Sequence, residues 1–112
     1  MENGTANLRV LVSDDQDDVL EALRLVLKSA GHKVKTVNNP DAVLSAAGED
    51  DFDLILMDMN YTRDTTSGEE GLELLSRLRS QPHATPVVVM TAWGDVELAV
   101  VAMRRGAVDF VQ

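Results

Sequence analysis

The first apolar run of the sequence ends in paired acids. Val10-Leu11-Val12 gives way to Ser13-Asp14-Asp15, and Asp17 and Asp18 follow at once. Adjacent carboxylates at the end of a buried segment lose hydration and repel one another, a cost that a bound cation removes. Two further apolar runs end in oxygen-bearing side chains: DLILM in Asp58 and PVVVM in Thr91. Brought together, Asp14, Asp15, Asp58 and Thr91 offer three carboxylates and a hydroxyl, with no nitrogen or sulfur donor beside them. Mg²⁺ suits that set, because it takes oxygen ligands, is held by one or two carboxylates, keeps several waters and shares phosphate groups. Each residue alone has an ordinary reading as a loop, cap or strand-end residue. Their joint occurrence at three strand ends points to a site. Asp17 and Asp18 read as the acidic first turn of a helix, where the dipole favours negative charge. His32 and His83 fall in turns and read as solvated bystanders, and Trp93 is expected to flank the mouth.

For those ends to meet, the runs must be parallel neighbours. The sequence alternates two periodicities. Leu8 to Ser13 reads as a strand, followed by helical spacing of Val19, Leu20, Leu23, Val26 and Leu27 between Gln16 and Ala30. Gly31 stands where a helix C-terminus places it. Lys33 to Val37 alternates as a strand does. Asn39-Pro40 is an N-cap followed by proline at the first helical position, with the helix running to Gly48. Asp53 to Met57 is the most apolar strand. Ser67 to Ser80 is predicted helical, with Ser67 and Glu70 at capping-box spacing and Leu72, Leu75 and Leu78 on one face. Pro86 to Met90 is a strand, Asp95 caps a helix over Val96 to Arg105, and Val108 to Val111 begins a fifth strand. The order βαβαβαβαβ with apolar strands implies an α/β fold, a doubly wound parallel sheet in three αβα layers, and ligands outside the carboxyl ends of the strands.

Composition narrows the function. The 112 residues suit one domain, and 45% hydrophobic residues support a real core. A formal net charge of −9 argues against a nucleic-acid-binding surface, which would need a basic stripe, and disfavours anionic membranes. The absence of cysteine excludes disulfides and thiolate metal sites. No apolar run approaches the ~18 residues of a membrane span, and the polar start MENGTAN lacks a signal-peptide core. A cytoplasmic location is the expectation.

From LRVLVSDD through DLILMD and VVVMTAWGD to GAVDF, the sequence resembles the receiver domain of bacterial two-component response regulators. MTAWGDVELAVVAMRRGAVDF is similar to receivers of the nitrogen-regulator (NtrC-like) type, which are usually joined to an ATPase module and a helix-turn-helix module. The resemblance spans nearly the whole chain. It implies a flavodoxin-like five-stranded sheet of order 2-1-3-4-5 and a single receiver domain over residues 1–112. It further implies that Asp58 is the phosphoacceptor for a sensor histidine kinase. Asp14 and Asp15 would hold Mg²⁺ together with Asp58 and the main-chain carbonyl of Asn60. Thr91 would be the switch hydroxyl, Ala92 the small residue that leaves room for the phosphoryl group, and Phe110 the switch aromatic. The expected role is a phosphoacceptor switch rather than an enzyme, reaching DNA only through a separate output domain.

The sequence departs from the family pattern in two places. The segment after Asp58, MNYTRDTTSGEEGLELL, is longer and more polar than usual and lacks a Met-Pro pair. The family's lysine would fall immediately after Gln112, followed by a proline and the last helix. The expectation is therefore an incomplete last strand and helix, apolar surface open over residues 96–112, and self-association there or continuation in a longer chain. Two alternatives carry other functions: a degenerate receiver serving only as a dimerisation module, and a Mg²⁺-dependent phosphatase using Asp58 as nucleophile. Such phosphatases commonly place an acid/base aspartate two residues after the nucleophile, where this sequence has Asn60.

Overall fold

The computed structural model describes residues 7–59, 69–82, 84–91 and 96–112. Five strands, β1 (Arg9–Ser13), β2 (Lys33–Val37), β3 (Leu54–Asp58), β4 (Val87–Met90) and β5 (Asp109–Val111), alternate with four helices. The helices are α1 (Asp17–Ser29), α2 (Pro40–Glu49), α3 (Glu69–Arg79) and α4 (Val96–Arg104). All strand pairs are parallel, in the order β2-β1-β3-β4-β5. The expected topology is therefore the observed one, with boundaries differing by a residue or two.

Side-chain alternation sends the two sets of strand residues to opposite faces. Leu11, Ile55, Met57, Val87 and Val89 form one core with Val43 and Ala46 of α2, Leu74, Leu75 and Leu78 of α3, and Leu98 and Ala102 of α4. Val10 and Val12 face the other way and pack on Leu20, with Leu23, Leu27, Leu54 and Leu56 around them. The chain thus builds a three-layer arrangement in which α1 covers the second face over β1 and β2. On the edge strand β2, Lys33 and Lys35 are exposed. Charged side chains of this kind blunt a sheet edge against further pairing.

Local chemistry accounts for the helix ends. Asn39 Oδ1 accepts a hydrogen bond from the Ala42 amide at 2.8 Å, with Pro40 in the first turn of α2. Gly31 and Gly106 follow α1 and α4 with φ of +94° and +112°, a region that glycine enters without a Cβ clash. Two apolar stripes differ from the sequence expectation. In α3 the buried row is Gly71, Leu74, Leu75 and Leu78, while Leu72 is half-buried at its margin. In α1 the core stripe is carried by Leu20, Leu23 and Leu27, and Val26 is 65% exposed because it points off that stripe. Ser67 and Asp95, the expected caps of α3 and α4, lie outside the described residues.

Candidate functional site

The carboxyl ends of β1 and β3 meet because these strands are paired, Ser13 lying opposite Met57. Asp14 and Asp15 follow the first strand directly, and Asp58 ends the other. One carboxylate oxygen from each of Asp14, Asp15 and Asp58 lies within 4.8 Å of the others. Asp14 is buried, at 6% exposure, Asp58 is half-buried and Asp15 is open to solvent. The cluster therefore grades from the sheet end outward to water, as a site filled from solvent requires.

Two backbone anchors hold Asp14. Its amide donates to Val37 O of β2 at 3.3 Å. Its Oδ1 accepts from the Gln16 amide at 2.9 Å, closing an Asx turn that directs the chain into α1. Burial pushes the Asp14 carboxyl above its ordinary pKa; the Gln16 hydrogen bond opposes this, and the nearby Asp15 and Asp18 push it further up. The sequence placed Asp17 and Asp18 in a first helical turn, and they occupy that position in α1.

Thr91 follows β4 and is 8% exposed. Its amide donates to Val111 O of β5 at 3.0 Å, yet its buried Oγ1 has no hydrogen-bond partner among the described residues. A buried hydroxyl without a partner costs free energy. It lies at the carboxyl end of a parallel sheet, the end where folds of this class bind ligands. Asp58 pairs with Met90 in the β3–β4 register, so the hydroxyl and the carboxylates share one end of the sheet. Phe110 lies on β5 opposite Val89, half-buried against the main core. Asn60, Ala92, Trp93 and His83 lie outside the described residues.

Three oxygen donors of like charge, with no nitrogen or sulfur among them, fit a hard divalent cation. The donor set thus agrees with the metal class expected from the sequence.

Two features escaped the sequence reading. His32 is not a bystander: its Nδ1 accepts the Leu8 amide at 3.2 Å and ties the start of β2 to the chain entering β1. A histidine beside a turn carries no pattern that announces such a bond. Backbone contacts behind Asp58 were equally hidden. Met59 N–H donates to Met90 O, and Met59 O accepts from Gly71 N–H. The single available signal was a glycine in the first turn of α3, where helix propensity disfavours it.

Comparison with known proteins agrees with this geometry. Residues 10–112 match the family model of the response regulator receiver domain. The transcriptional regulatory protein FixJ of Bradyrhizobium diazoefficiens is 35% identical over 108 residues, covering 96% of this chain and 50% of that protein. The regulatory protein AtoC of Escherichia coli is 35% identical over 107 residues, covering 96% of this chain and 22% of that one. The crystal structure of NtrX from Brucella abortus superposes with a TM-score of 0.85 at 31% identity, over 95% of this chain and 23% of that chain. The chain spans half or less of these relatives. With its nitrogen-regulator-type likeness, its 2-1-3-4-5 parallel sheet and its three aspartates at one mouth, the chain belongs to the response regulator receiver domain family.

Proposed function

We propose that this chain is the phosphoacceptor switch of a two-component system, charged at Asp58 by a sensor histidine kinase. The observation that carries this reading is the convergence of Asp14, Asp15 and Asp58 within 4.8 Å, at the sheet end where the buried Thr91 hydroxyl has no partner among the described residues. In the transfer, an Asp58 carboxylate oxygen attacks phosphorus, an O–P bond forms, and the P–N bond to the kinase imidazole breaks. Water later cleaves the acyl phosphate and restores the carboxylate.

Asp14, Asp15 and Asp58 are the residues that would hold Mg²⁺, with the Asn60 carbonyl as a fourth ligand. When bound, Mg²⁺ supplies charge neutralisation at the phosphoryl oxygens and at the acidic cluster. The other residues position and respond. The Asx turn of Asp14 keeps one carboxylate fixed. Thr91 Oγ1 donates to a phosphoryl oxygen, Ala92 leaves room for it, and Phe110 follows Thr91 through β5. Replacing a carboxylate with a phosphate of about −2 charge changes the local charge by roughly −1, enough to bias a two-state element.

The chain catalyses no turnover of a separate substrate in this reading; it accepts and loses its own phosphoryl group. The output is transcriptional, through a DNA-binding module apart from residues 1–112. A cytoplasmic location fits the role, and among the described residues no helix is long and apolar enough to cross a membrane. Self-association of two copies uses residues 96–112, where Val96, Val100, Met103, Val108 and Val111 expose apolar surface.

Incubation with acetyl phosphate and Mg²⁺, followed by intact-mass measurement, tests the proposal. Wild type should gain the mass of one phosphate and Asp58→Asn none. Equal incorporation in both proteins removes Asp58 from the role.

A further inference from the structure

Met59, the residue directly after Asp58, is fixed on both sides by main-chain bonds. Its N–H donates to Met90 O at 3.2 Å, and its carbonyl accepts from Gly71 N–H at 3.1 Å. Its side chain is fully buried in the main core. Gly71 is the third residue of α3, so its N–H is among the first-turn amides that a helix cannot satisfy internally. The Met59 carbonyl fills that need. A Cβ on Gly71 would stand 2.5 Å from Met59 O, 2.6 Å from Met59 Cα and 2.8 Å from Met59 C. All three are backbone atoms, so no rotamer change relieves the clash. The φ of Gly71 is not positive. Close approach, rather than an unusual backbone angle, therefore selects glycine here.

We propose that Gly71 is a positioning residue for phosphoryl transfer: it lets α3 seat on the Met59 peptide and thereby sets Asp58 against Asp14 and Asp15. This rests on the reading of Asp58 as phosphoacceptor. In a Gly71→Ala protein, reaching an ordinary 3.4 Å contact from 2.5 Å needs a shift of ~0.9 Å between α3 and Met59. A misplacement of about 1 Å at a reacting group costs up to ~10²-fold in rate. The site is sensitive because three carboxylates must share one cation, and Asp58 is the one attached to the displaced peptide.

The experiment compares wild type, Gly71→Ala, Gly48→Ala and Leu72→Ala. A Cβ on Gly48 meets nothing within 4 Å, so that variant controls for a glycine-to-alanine change in a helix. Leu72 is half-buried against the core, so its truncation weakens α3 packing without touching the Met59 carbonyl. Mg²⁺ affinity by calorimetry and the initial rate of acetyl-phosphate labelling are measured well below each melting temperature. Gly71→Ala should label 10- to 100-fold more slowly and bind Mg²⁺ more weakly, while Gly48→Ala and Leu72→Ala keep both within about twofold. Amide exchange on wild type covers the case in which Gly71→Ala does not fold: Mg²⁺ should slow exchange at Gly71 more than at Leu74 or Leu75. Folded Gly71→Ala that matches wild type in affinity and rate overturns the positioning role, as does a Gly71 amide indifferent to Mg²⁺ that demonstrably binds. Wild type that takes neither Mg²⁺ nor phosphate instead removes the phosphoacceptor reading, and the positioning role with it.

Discussion

Replacing Asp15 with asparagine should reverse the order of stabilities with and without Mg²⁺. Asp15 is the exposed member of the cluster, and its carboxylate faces those of Asp14 and Asp58 within 4.8 Å. Two unit charges at that separation repel by about 0.9 kcal/mol at the dielectric constant of water. With two partners, neutralising Asp15 should stabilise the metal-free protein by roughly 1–2 kcal/mol. For a domain near this size, 1 kcal/mol corresponds to about 4–8 °C in melting temperature. Mg²⁺ should act the other way on wild type: at about 100 times its dissociation constant a ligand adds ~2.7 kcal/mol to stability. Asp15→Asn, having lost one anionic ligand, should gain much less. Thermal melts in EDTA and in saturating Mg²⁺ would therefore cross, the variant melting higher without metal and wild type higher with it. Raising the salt concentration should narrow the metal-free gap, since one partner is exposed to screening. A metal-free variant that melts at or below wild type, or an equal Mg²⁺ shift in both, would refute the repulsion argument.

Thr91→Val removes a buried hydroxyl that has no partner among the described residues. It should raise unliganded stability by about 1 kcal/mol, read as a higher denaturant midpoint, while abolishing any phosphorylation-dependent change in the NMR resonances of β5. Leu75→Ala empties a fully buried position between α3 and the sheet. It should cost about 2–5 kcal/mol in urea unfolding, and a loss under 1 kcal/mol would mean that α3 is not packed as described. Asn39→Ala deletes the α2 cap and should cost ~1 kcal/mol by the same measurement.

The fold was legible because strand and helix periods alternate cleanly and each strand run is apolar. With β1 and β3 paired in parallel, Asp14, Asp15 and Asp58 had to converge, so acids at strand ends already implied the geometry. What escaped the sequence lies in the main chain or in single contacts. Gly71 could be read only as a weak helix residue, because its neighbour Met59 O carries no side-chain identity. The bond from Leu8 N–H to His32 Nδ1 joins residues 24 positions apart and depends on the β1–β2 register. Val26 fits a helical apolar pattern by spacing, but only the packing of α1 shows that Leu20, Leu23 and Leu27 define the inward stripe.

The backbone around Thr91 also bears on how a switch at this site can move. Its amide is tied to Val111 O, and the neighbouring Met90 carbonyl is tied to Met59 N–H, so the main chain at the end of β4 is held from both flanking strands. The Thr91 hydroxyl has no described bond to break. Under the proposed role, Thr91 would present this hydroxyl to a phosphoryl oxygen on Asp58 from one of the few staggered χ1 wells open to a threonine. On the adjoining strand β5, Phe110 is half-buried against the main core. Under the proposed phosphoacceptor role, a backbone held from both sides, a hydroxyl without a described partner and a half-buried aromatic on the adjoining strand would carry a charge change at Asp58 to β5.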